Sequence, residues 1–272
     1  MTTLHLLVVG AHPDEPDMYA GGTAALFAEL GHRVKFLSLT NGDAGHYEMD
    51  RIPLAGRRYA EAQEAAKRLG VLEYEVLDTH DSELEPSIPV RQAVIRRIRS
   101  WQADIVIAFH PEGPGHPDNR NAGRAVRDAA SFAGLRNVAP DTPPSGKRPI
   151  YLLMPDYGTL AQHRHDVAIA VDKTIEKKLL ACDAHATQFY EAAPHGRGFL
   201  NEVPTGWEEK KAFLLKYWAE FMVTLPEMRP ALRKWYGERG AAAEFAESFQ
   251  LADYGRQPSE EELRQLFPML GA

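Results

Sequence analysis

The chain has 272 residues, of which 44% are hydrophobic and 25% are charged, so it can bury a substantial core as a globular protein. Its formal net charge of -7 at pH 7 argues against nucleic acid or an anionic membrane as a partner, because the chain has no excess of cations to neutralise phosphates. The one cysteine, Cys182, excludes an internal disulfide and a cluster of thiolate ligands.

The sequence shows no pattern for export or for a membrane span. Residues 1–5 run into an apolar strand pattern without a basic leader, and no apolar run approaches the roughly 20 residues that a spanning helix needs. We therefore expect a cytoplasmic protein.

Strand and helix patterns alternate along most of the chain. Short apolar or β-branched runs predict strands at 6–9, 34–39, 73–77, 105–109, 150–154 and 166–171. Amphipathic runs predict helices at 23–30, 57–69, 90–101, 121–132 and 174–190. Because the links are short, the strands should pair in parallel through right-handed βαβ units. The sequence therefore predicts an α/β fold with a Rossmann-like, mostly parallel sheet flanked by helices.

Two regions are expected to fall outside this alternation. We assign residues 1–195 to the α/β domain and residues 196–272 to a helical C-terminal extension that packs on the core or is used in assembly. Loop 137–148 is rich in Pro, Thr and Ser, and we interpret it as an exposed segment that could form a flap over the site.

The first strand ends abruptly in His12-Pro13-Asp14-Glu15. Loops at the carboxyl ends of parallel strands are where such sheets bind ligands, so this is a candidate site. His12 and Glu15 can reach one metal ion from a tight loop, whereas Asp14 between them is free to act as a general base. The structural alternative is a turn in which Pro13 ends the strand and a carboxylate caps the next helix.

A second loop repeats this arrangement after the strand at 105–109. It contains His110 and then His116-Pro117-Asp118-Asn119, so two central strands bring histidines and carboxylates to one edge of the sheet. His116, Asp118 or Asn119 would complete a metal shell from across the crevice.

Other loops should line the same edge of the sheet. We assign Asp43 and His110 to substrate binding on this basis. His80, Asp81 and Glu83 are similarly placed, and we interpret them as solvated loop residues in preference to substrate contacts.

These motifs resemble those of a known family. Residues 11–15, AHPDE, resemble the AHPDD signature of the PIG-L/LmbE-like N-deacetylases, and residues 115–119, GHPDN, resemble their HPDH signature. Residues 58–62 look like the family's arginine-bearing helix, and residues 184–188, AHATQ, look like its AHxSQ segment. The resemblance implies a Rossmann-like enzyme that uses zinc to remove an N-acetyl group from a glucosamine-containing substrate, and a homo-oligomer.

The resemblance also implies a role for each matching residue. His12, Glu15 and Asn119 match the metal ligands, and Asp14 matches the general base. His116 matches the histidine that stabilises the oxyanion or protonates the amine, and Asp118 matches the residue that orients this histidine. Arg58 matches the substrate-binding arginine.

Two ligand positions depart from the family pattern. Glu15 stands where the family has Asp, and Asn119 stands where it has His. Because an amide oxygen is a weaker zinc ligand than an imidazole, Mg²⁺, Mn²⁺ or Ca²⁺ is an alternative to zinc, and His110 or His116 could replace the missing ring.

Two hypotheses follow from these residues. The leading one is a metal-dependent deacetylase acting on a small amino-sugar substrate, because Asp14, His116 and Asp118 are all retained. The rival is a non-catalytic or repurposed member of the family that binds a carbohydrate-like ligand, because the metal shell is altered.

Overall fold

The computed structural model describes residues 2–156 and 163–270 of the chain. The strands in these ranges are β1 (His5–Gly10), β2 (Arg33–Thr40), β3 (Glu73–Thr79), β4 (Ile105–Phe109), β5 (Ile150–Met154), β6 (Val167–Ala170) and β7 (Ala246–Leu251). The first five pair in parallel, whereas β7 pairs antiparallel with both β5 and β6. The sheet order β3-β2-β1-β4-β5-β7-β6 confirms the predicted Rossmann-like, mostly parallel α/β fold.

Helices cover both faces of this sheet. The longer helices are α1 (Glu15–Glu29), α2 (Arg51–Leu69), α3 (Ile88–Trp101), α4 (Pro117–Phe132) and α5 (Ile175–Ala184). After a π-helical segment, Thr187–Ala192, come α6 (Ala193–Arg197), α7 (Trp207–Tyr217), α8 (Arg229–Tyr236), α9 (Glu238–Ala241) and α10 (Glu260–Leu266). None of the helices in residues 2–156 and 163–270 is long and apolar enough to cross a membrane.

Helix α2 illustrates how the local sequence sets an element. Its Ala62, Ala65 and Leu69 are buried on the inner face, and alanine and leucine are among the strongest helix formers. Gly70 ends the helix in the left-handed conformation, with φ 78°, as expected for a glycine cap.

Helix α1 begins earlier than its sequence predicts. It starts at Glu15, where Pro16 and the acidic Asp17 suit a first turn, and the pair Gly21-Gly22 lies inside the helix. A Cβ on Gly22 would lie 2.7 Å from the Cβ of Val171, so the glycine allows α1 to approach the end of β6 closely. Gly22 is therefore needed for close packing. The sequence pattern did not distinguish this role from that of a glycine that precedes a helix.

The C-terminal region, residues 196–272, was predicted to be a helical extension, and it also contributes a strand to the sheet. It contains helices, but β7 lies within the sheet between β5 and β6, with five of its six residues buried. Because β7 is preceded by an alanine-rich stretch and mixes Glu247, Ser248 and Gln250 with apolar residues, its sequence lacks the apolar run of a central strand.

A buried ion pair fixes β7 to the helices. Glu247 Oε1 lies 2.8 Å from the Lys178 ammonium, and both side chains are almost completely excluded from solvent. The same carboxylate accepts hydrogen bonds from the backbone N–H groups of Gly22 at 2.8 Å and Thr23 at 2.7 Å. Strand β7, helix α1 and helix α5 therefore meet at one carboxylate.

Loop 137–148 lies at the edge of the sheet opposite the candidate site, so the prediction of a flap is wrong. Lys147 Nζ contacts Asp104 at 2.7 Å, and Asp104 immediately precedes β4. Arg99 donates to the carbonyl groups of Ala139 at 2.8 Å and Thr142 at 2.6 Å. Because helix α4 carries the chain back from the carboxyl end of β4 to the amino end of β5, the loop cannot reach the site.

We expect Glu247→Gln to lower the free energy of unfolding by about 3–5 kcal/mol, because it leaves the Lys178 ammonium buried without its charge partner. Glu29→Gln is the matched control, since it removes an exposed pair with Lys177 at the end of the same helix α1 and should cost about 1 kcal/mol or less. Urea denaturation followed by tryptophan fluorescence measures both. Equal losses for the two variants would contradict the proposed importance of the buried pair.

Candidate metal centre and active site

A cavity of about 540 Å³ is lined by the loops that follow β1, β2, β3 and β4. This volume is in the range of small-molecule sites. Strands β1 and β4 are neighbours, but the chain leaves them toward opposite sides of the sheet. Such a switch point opens a crevice at the carboxyl ends of the strands, which explains why the cavity lies here.

The cavity gathers most of the residues that the sequence singled out. Six of them line it: His12, Asp14, Glu15, Arg58, His116 and Asn119. Asp118 is buried beside them, with Oδ2 3.5 Å from His12 Nε2. The two motif loops therefore meet, as their positions after β1 and β4 predict.

His12 is the centre of a carboxylate cluster. Its Nδ1 lies 3.0 Å from Oε1 of Glu15, and its Nε2 lies 3.0 Å from Oδ1 of Asp81. Burial alone would lower the pKa of His12, but the charge of Glu15 and the hydrogen bonds to Asp118, Asp81 and Glu15 together raise this pKa well above its usual range. The ring is thus in a strongly anionic environment, which also suits a cation.

Glu15 is bound to the loop that precedes it. Its Oε2 accepts hydrogen bonds from the backbone N–H groups of Ala11 at 2.7 Å and His12 at 2.8 Å. Its other oxygen faces the His12 ring. These contacts let a single side chain fix both the backbone and the imidazole of the first motif.

Helix α2 brings Arg58 to the general-base candidate. The buried guanidinium donates to Oδ1 of Asp14 and, at 3.2 Å, to the carbonyl group of Gly42. It also lies 4.0 Å from Oδ2 of Asp81. Arg58 lines the cavity, but its observed contacts are with groups of the protein itself, so its role in substrate binding stays a prediction.

His116 and Asp118 interact differently from what the resemblance implies. His116 caps α4, and its Nδ1 accepts a hydrogen bond from the backbone N–H of Asp118 at 3.2 Å. The Asp118 carboxylate instead accepts a hydrogen bond from the N–H of Ser82 at 2.7 Å and faces His12. Asp118 therefore orients the His116 ring through its backbone, and its side chain is available to the cluster around His12.

Asn119 is buried at the first turn of α4 beside a carboxylate that the sequence analysis did not single out. Its Nδ2 lies 3.4 Å from Oδ1 of Asp156, which follows β5. A Cβ on Gly115 would come within 1.8 Å of the Asp156 carboxylate, so any larger residue at this position would displace that carboxylate. A carboxylate directly after an apolar strand was the available sign, and it is the same sign that identified Asp14.

Asp43 and His110 are not among the described residues that line the cavity. Asp43 is buried and accepts hydrogen bonds from His80 Nδ1 at 2.6 Å and from the backbone N–H of Asp81 at 3.0 Å. His110 accepts a hydrogen bond from the N–H of Glu112 at 3.2 Å. Their substrate-binding assignments stay predictions, and the observed role of Asp43 is to position Asp81.

Three buried side chains hold the loop that carries Asp14. The Tyr74 hydroxyl contacts the carbonyl oxygen of Pro13 and lies 3.0 Å from Oδ2 of Asp17. The same Asp17 oxygen lies 3.0 Å from Nε2 of His185. These contacts connect β3, α1 and the end of α5 to the backbone of the first motif.

Stacked aromatic rings join the loop after β2 to helix α6. Tyr47, in the loop after β2, stacks on His195 of α6 with ring centroids 3.9 Å apart, and on His46 at 4.7 Å. The Glu191 carboxylate lies 3.0 Å from His46 Nε2 and accepts a hydrogen bond from Arg57 Nη1 at 2.8 Å. The loop after β2 is thereby joined to the π-helical segment across the edge of the cavity.

The residues present fit a divalent cation. One ligand atom each from His12, His116 and Asp118 lies within 4.8 Å of the others. The Oδ1 atom of Asn119 is buried and has no hydrogen-bond partner among the described residues, as expected of an oxygen that faces a cation. Imidazole nitrogen and carboxylate or amide oxygen are donors that divalent ions accept.

Comparisons with known proteins agree with the motifs. The family described as PIG-L, GlcNAc-PI de-N-acetylase, matches residues 7–130. Diacetylchitobiose deacetylase of Thermococcus kodakarensis is 33% identical over 190 residues, which are 68% of this chain and 70% of that one. The 1D-myo-inositol 2-acetamido-2-deoxy-alpha-D-glucopyranoside deacetylase of Mycobacteroides abscessus is 27% identical over 234 residues, with 69% of this chain and 82% of that one covered.

Solved structures share the fold at lower identity. N,N'-diacetylchitobiose deacetylase of Pyrococcus horikoshii superposes with a TM-score of 0.68 at 23% identity, covering 91% of this chain and 83% of that one. The 4-carboxy-2-hydroxymuconate hydratase of Pseudomonas putida gives a TM-score of 0.71 at 19% identity, covering 95% and 99%. Since a deacetylase and a hydratase share this fold, the sequence relationship decides the family, and by that relationship the chain belongs to the PIG-L/LmbE-like family of N-acetylglucosamine deacetylases.

Proposed function

We propose that this chain is a metal-dependent hydrolase that removes the N-acetyl group from an amino sugar or sugar conjugate of the N-acetylglucosamine type. The observation that carries the proposal is that His12, Asp14 and His116 face one cavity at the switch point of the sheet. Relatives in the family carry deacetylase names, and their substrates are small amino sugars. We propose zinc as the ion, with Mg²⁺, Mn²⁺ or Ca²⁺ as alternatives because the donors include many oxygens.

The residues supply the parts that amide hydrolysis needs. When bound, a divalent ion polarises an amide carbonyl group and makes water more acidic. Asp14 takes the proton of the attacking water, because it is the cavity carboxylate that Arg58 fixes through one oxygen only. Its Oδ2 has no hydrogen bond from the described residues and remains available to water.

His116 acts on the other side of the reacting carbon. In the neutral ring, acceptance of the Asp118 N–H by Nδ1 places the proton on Nε2. That N–H can stabilise the tetrahedral oxyanion, and the proton that Asp14 has taken from water can then pass to the departing amine nitrogen. Water addition and loss of the amine yield acetate and a free amino sugar.

The cavity suits a polar substrate of limited size. Arg58, Asp81, Asn119 and Gln188 present polar groups to it, whereas Met18 and Ala192 add apolar surface. Sugars combine hydroxyl groups with apolar ring faces, so a wall of this mixed character favours them. This supports an amino-sugar substrate without choosing its aglycone.

We expect Asp14→Asn to lower kcat for acetate release from N-acetylglucosaminides by about 10²–10⁴-fold, the usual contribution of a general base. The fall should appear with little change in KM, because the amide keeps the size of the side chain. Asp253→Asn, at an exposed position, is the matched control and should leave the rate unchanged. An Asp14→Asn variant that folds and turns over normally would refute the assignment.

Metal removal gives a second test. Dialysis against a strong chelator should reduce acetate release to background, and Zn²⁺ should restore it when added back. Parallel additions of Mn²⁺, Mg²⁺ and Ca²⁺ measure which ion the site uses. Acetate release that survives complete metal removal would contradict the hydrolase mechanism, and its absence across a panel of N-acetylated sugars with metal present would favour the non-catalytic alternative.

A further inference from the structure

We infer that Asp156 is a positioning residue for the metal centre: its carboxylate holds the Asn119 amide so that the amide oxygen is the group offered to the divalent ion. This role rests on the proposed metal-dependent function, in which Asn119 matches a metal ligand. It concerns how the ion is held and not which substrate is hydrolysed.

An asparagine presents two different groups to its surroundings. Its amide oxygen can bind a cation, whereas its NH₂ group only donates hydrogen bonds and repels a cation. A rotation of about 180° around the last side-chain bond exchanges the two groups, and this bond has only a weak preference of its own. A neighbour that already holds the NH₂ group therefore removes the cost of orienting the side chain when an ion binds.

Asp156 is the neighbour that fixes the orientation of Asn119. Its Oδ1 lies 3.4 Å from Asn119 Nδ2, and both residues are 2% exposed. A carboxylate accepts hydrogen bonds and does not donate them, so it selects the NH₂ group of the amide. The other end of the amide, Asn119 Oδ1, is buried and has no hydrogen-bond partner among the described residues, and Asn119 lines the cavity. The acceptor of this side chain is thereby left for an ion.

Strand pairing brings Asp156 to Asn119. Strands β4 and β5 are parallel, with Phe109 opposite Met154, so the chain leaves both strands at the same edge of the sheet. Asn119 lies in the first turn of α4, after β4, and Asp156 lies two residues beyond the end of β5. The contact thus connects the second motif to a strand that carries no motif of its own.

Gly115 leaves the space that the Asp156 carboxylate occupies. A Cβ at this position would lie 1.8 Å from Asp156 Oδ2 and 2.3 Å from its Cγ. Because these atoms belong to the end of a side chain, an alanine at position 115 would turn the carboxylate away without moving the backbone. Gly115→Ala therefore disturbs the contact between Asn119 and Asp156 while both residues are retained.

Calorimetry of Zn²⁺ and of Mn²⁺ binding to purified variants tests this role without measuring turnover. Asp156→Ala should weaken binding about 10–100-fold, the usual effect of losing a residue that orients a ligand. Asp156→Asn should weaken it less, because an amide oxygen can still accept a hydrogen bond from Asn119. Gly115→Ala should resemble Asp156→Ala. Gly134→Ala is the matched control and should leave the affinity unchanged, since a Cβ there meets nothing within 4 Å.

A double-mutant cycle establishes whether Asp156 acts through Asn119. Asn119→Ala removes the amide, so adding Asp156→Ala to this variant should cause little further loss of affinity. If the two fold-losses multiply instead, Asp156 acts on the ion by another route and the inference is wrong. Unchanged affinity in a folded Asp156→Ala variant would overturn it as well. Circular dichroism of each variant checks that it is folded.

A crystal structure of the full chain soaked with Zn²⁺, with the ion located by anomalous scattering, gives the direct view. We expect the ion about 2.0–2.2 Å from Asn119 Oδ1, with Nδ2 still directed at Asp156. An ion bound by Asp156 itself, or out of reach of Asn119, would contradict the positioning role. The absence of any bound ion at saturating Zn²⁺ would contradict it too.

The proposed function and the positioning role fail separately. Acetate release without a loss of metal affinity in the Asp156→Ala variant would leave the function standing and remove the positioning role. Metal binding that depends on Asp156 and Asn119 together, without hydrolysis of any N-acetylated sugar, would do the reverse.

Discussion

Parallel pairing of β1 with both β2 and β4 is the constraint on which the site depends. It places the ends of these strands at one edge and leaves a crevice where the chain departs to opposite sides of the sheet. Neither motif is a site alone, because His12 and Asp14 come from one side of the crevice and His116 and Asp118 from the other. The arginine of α2 then reaches the crevice because α2 follows the neighbouring strand β2.

Strands and helices with a clear pattern of apolar residues were predictable from the sequence. The buried strands β1, β4 and β5 are predicted by their apolar runs. The histidines and carboxylates that follow β1 and β4 identify the site. Asp81 could not be ranked in the same way, since it is one carboxylate among several in a polar loop and its importance depends on strands far away in sequence. Strand β7 was missed because its burial comes from neighbours on both sides and not from its own apolar content.

The departures from the family pattern occur together in space. Glu15 and Asp81 contact the two nitrogens of the His12 ring, and Asn119 lines the same cavity, so a change in one alters what the others can do. Asn119 alone suggests a weakened metal site, because it replaces a histidine. The buried carboxylates around His12, however, keep negative charge concentrated there. The metal-binding chemistry of such a centre depends on all of its side chains together. Comparing this chain with the family pattern one position at a time therefore misses part of that chemistry.

Strand β7 also has a consequence for how the protein is made. Among the described residues β6 pairs with β7, and β7 alone joins it to β5, so the last part of the sheet forms only after residue 251 has left the ribosome. Until then an emerging chain presents the edges of β5 and β6 with their backbone N–H and C=O groups unpaired, which are templates for association between chains. Synthesis of this protein thus passes through a stage in which the apolar strands β5 and β6 have open edges, and completion of β7 closes the edges that face it.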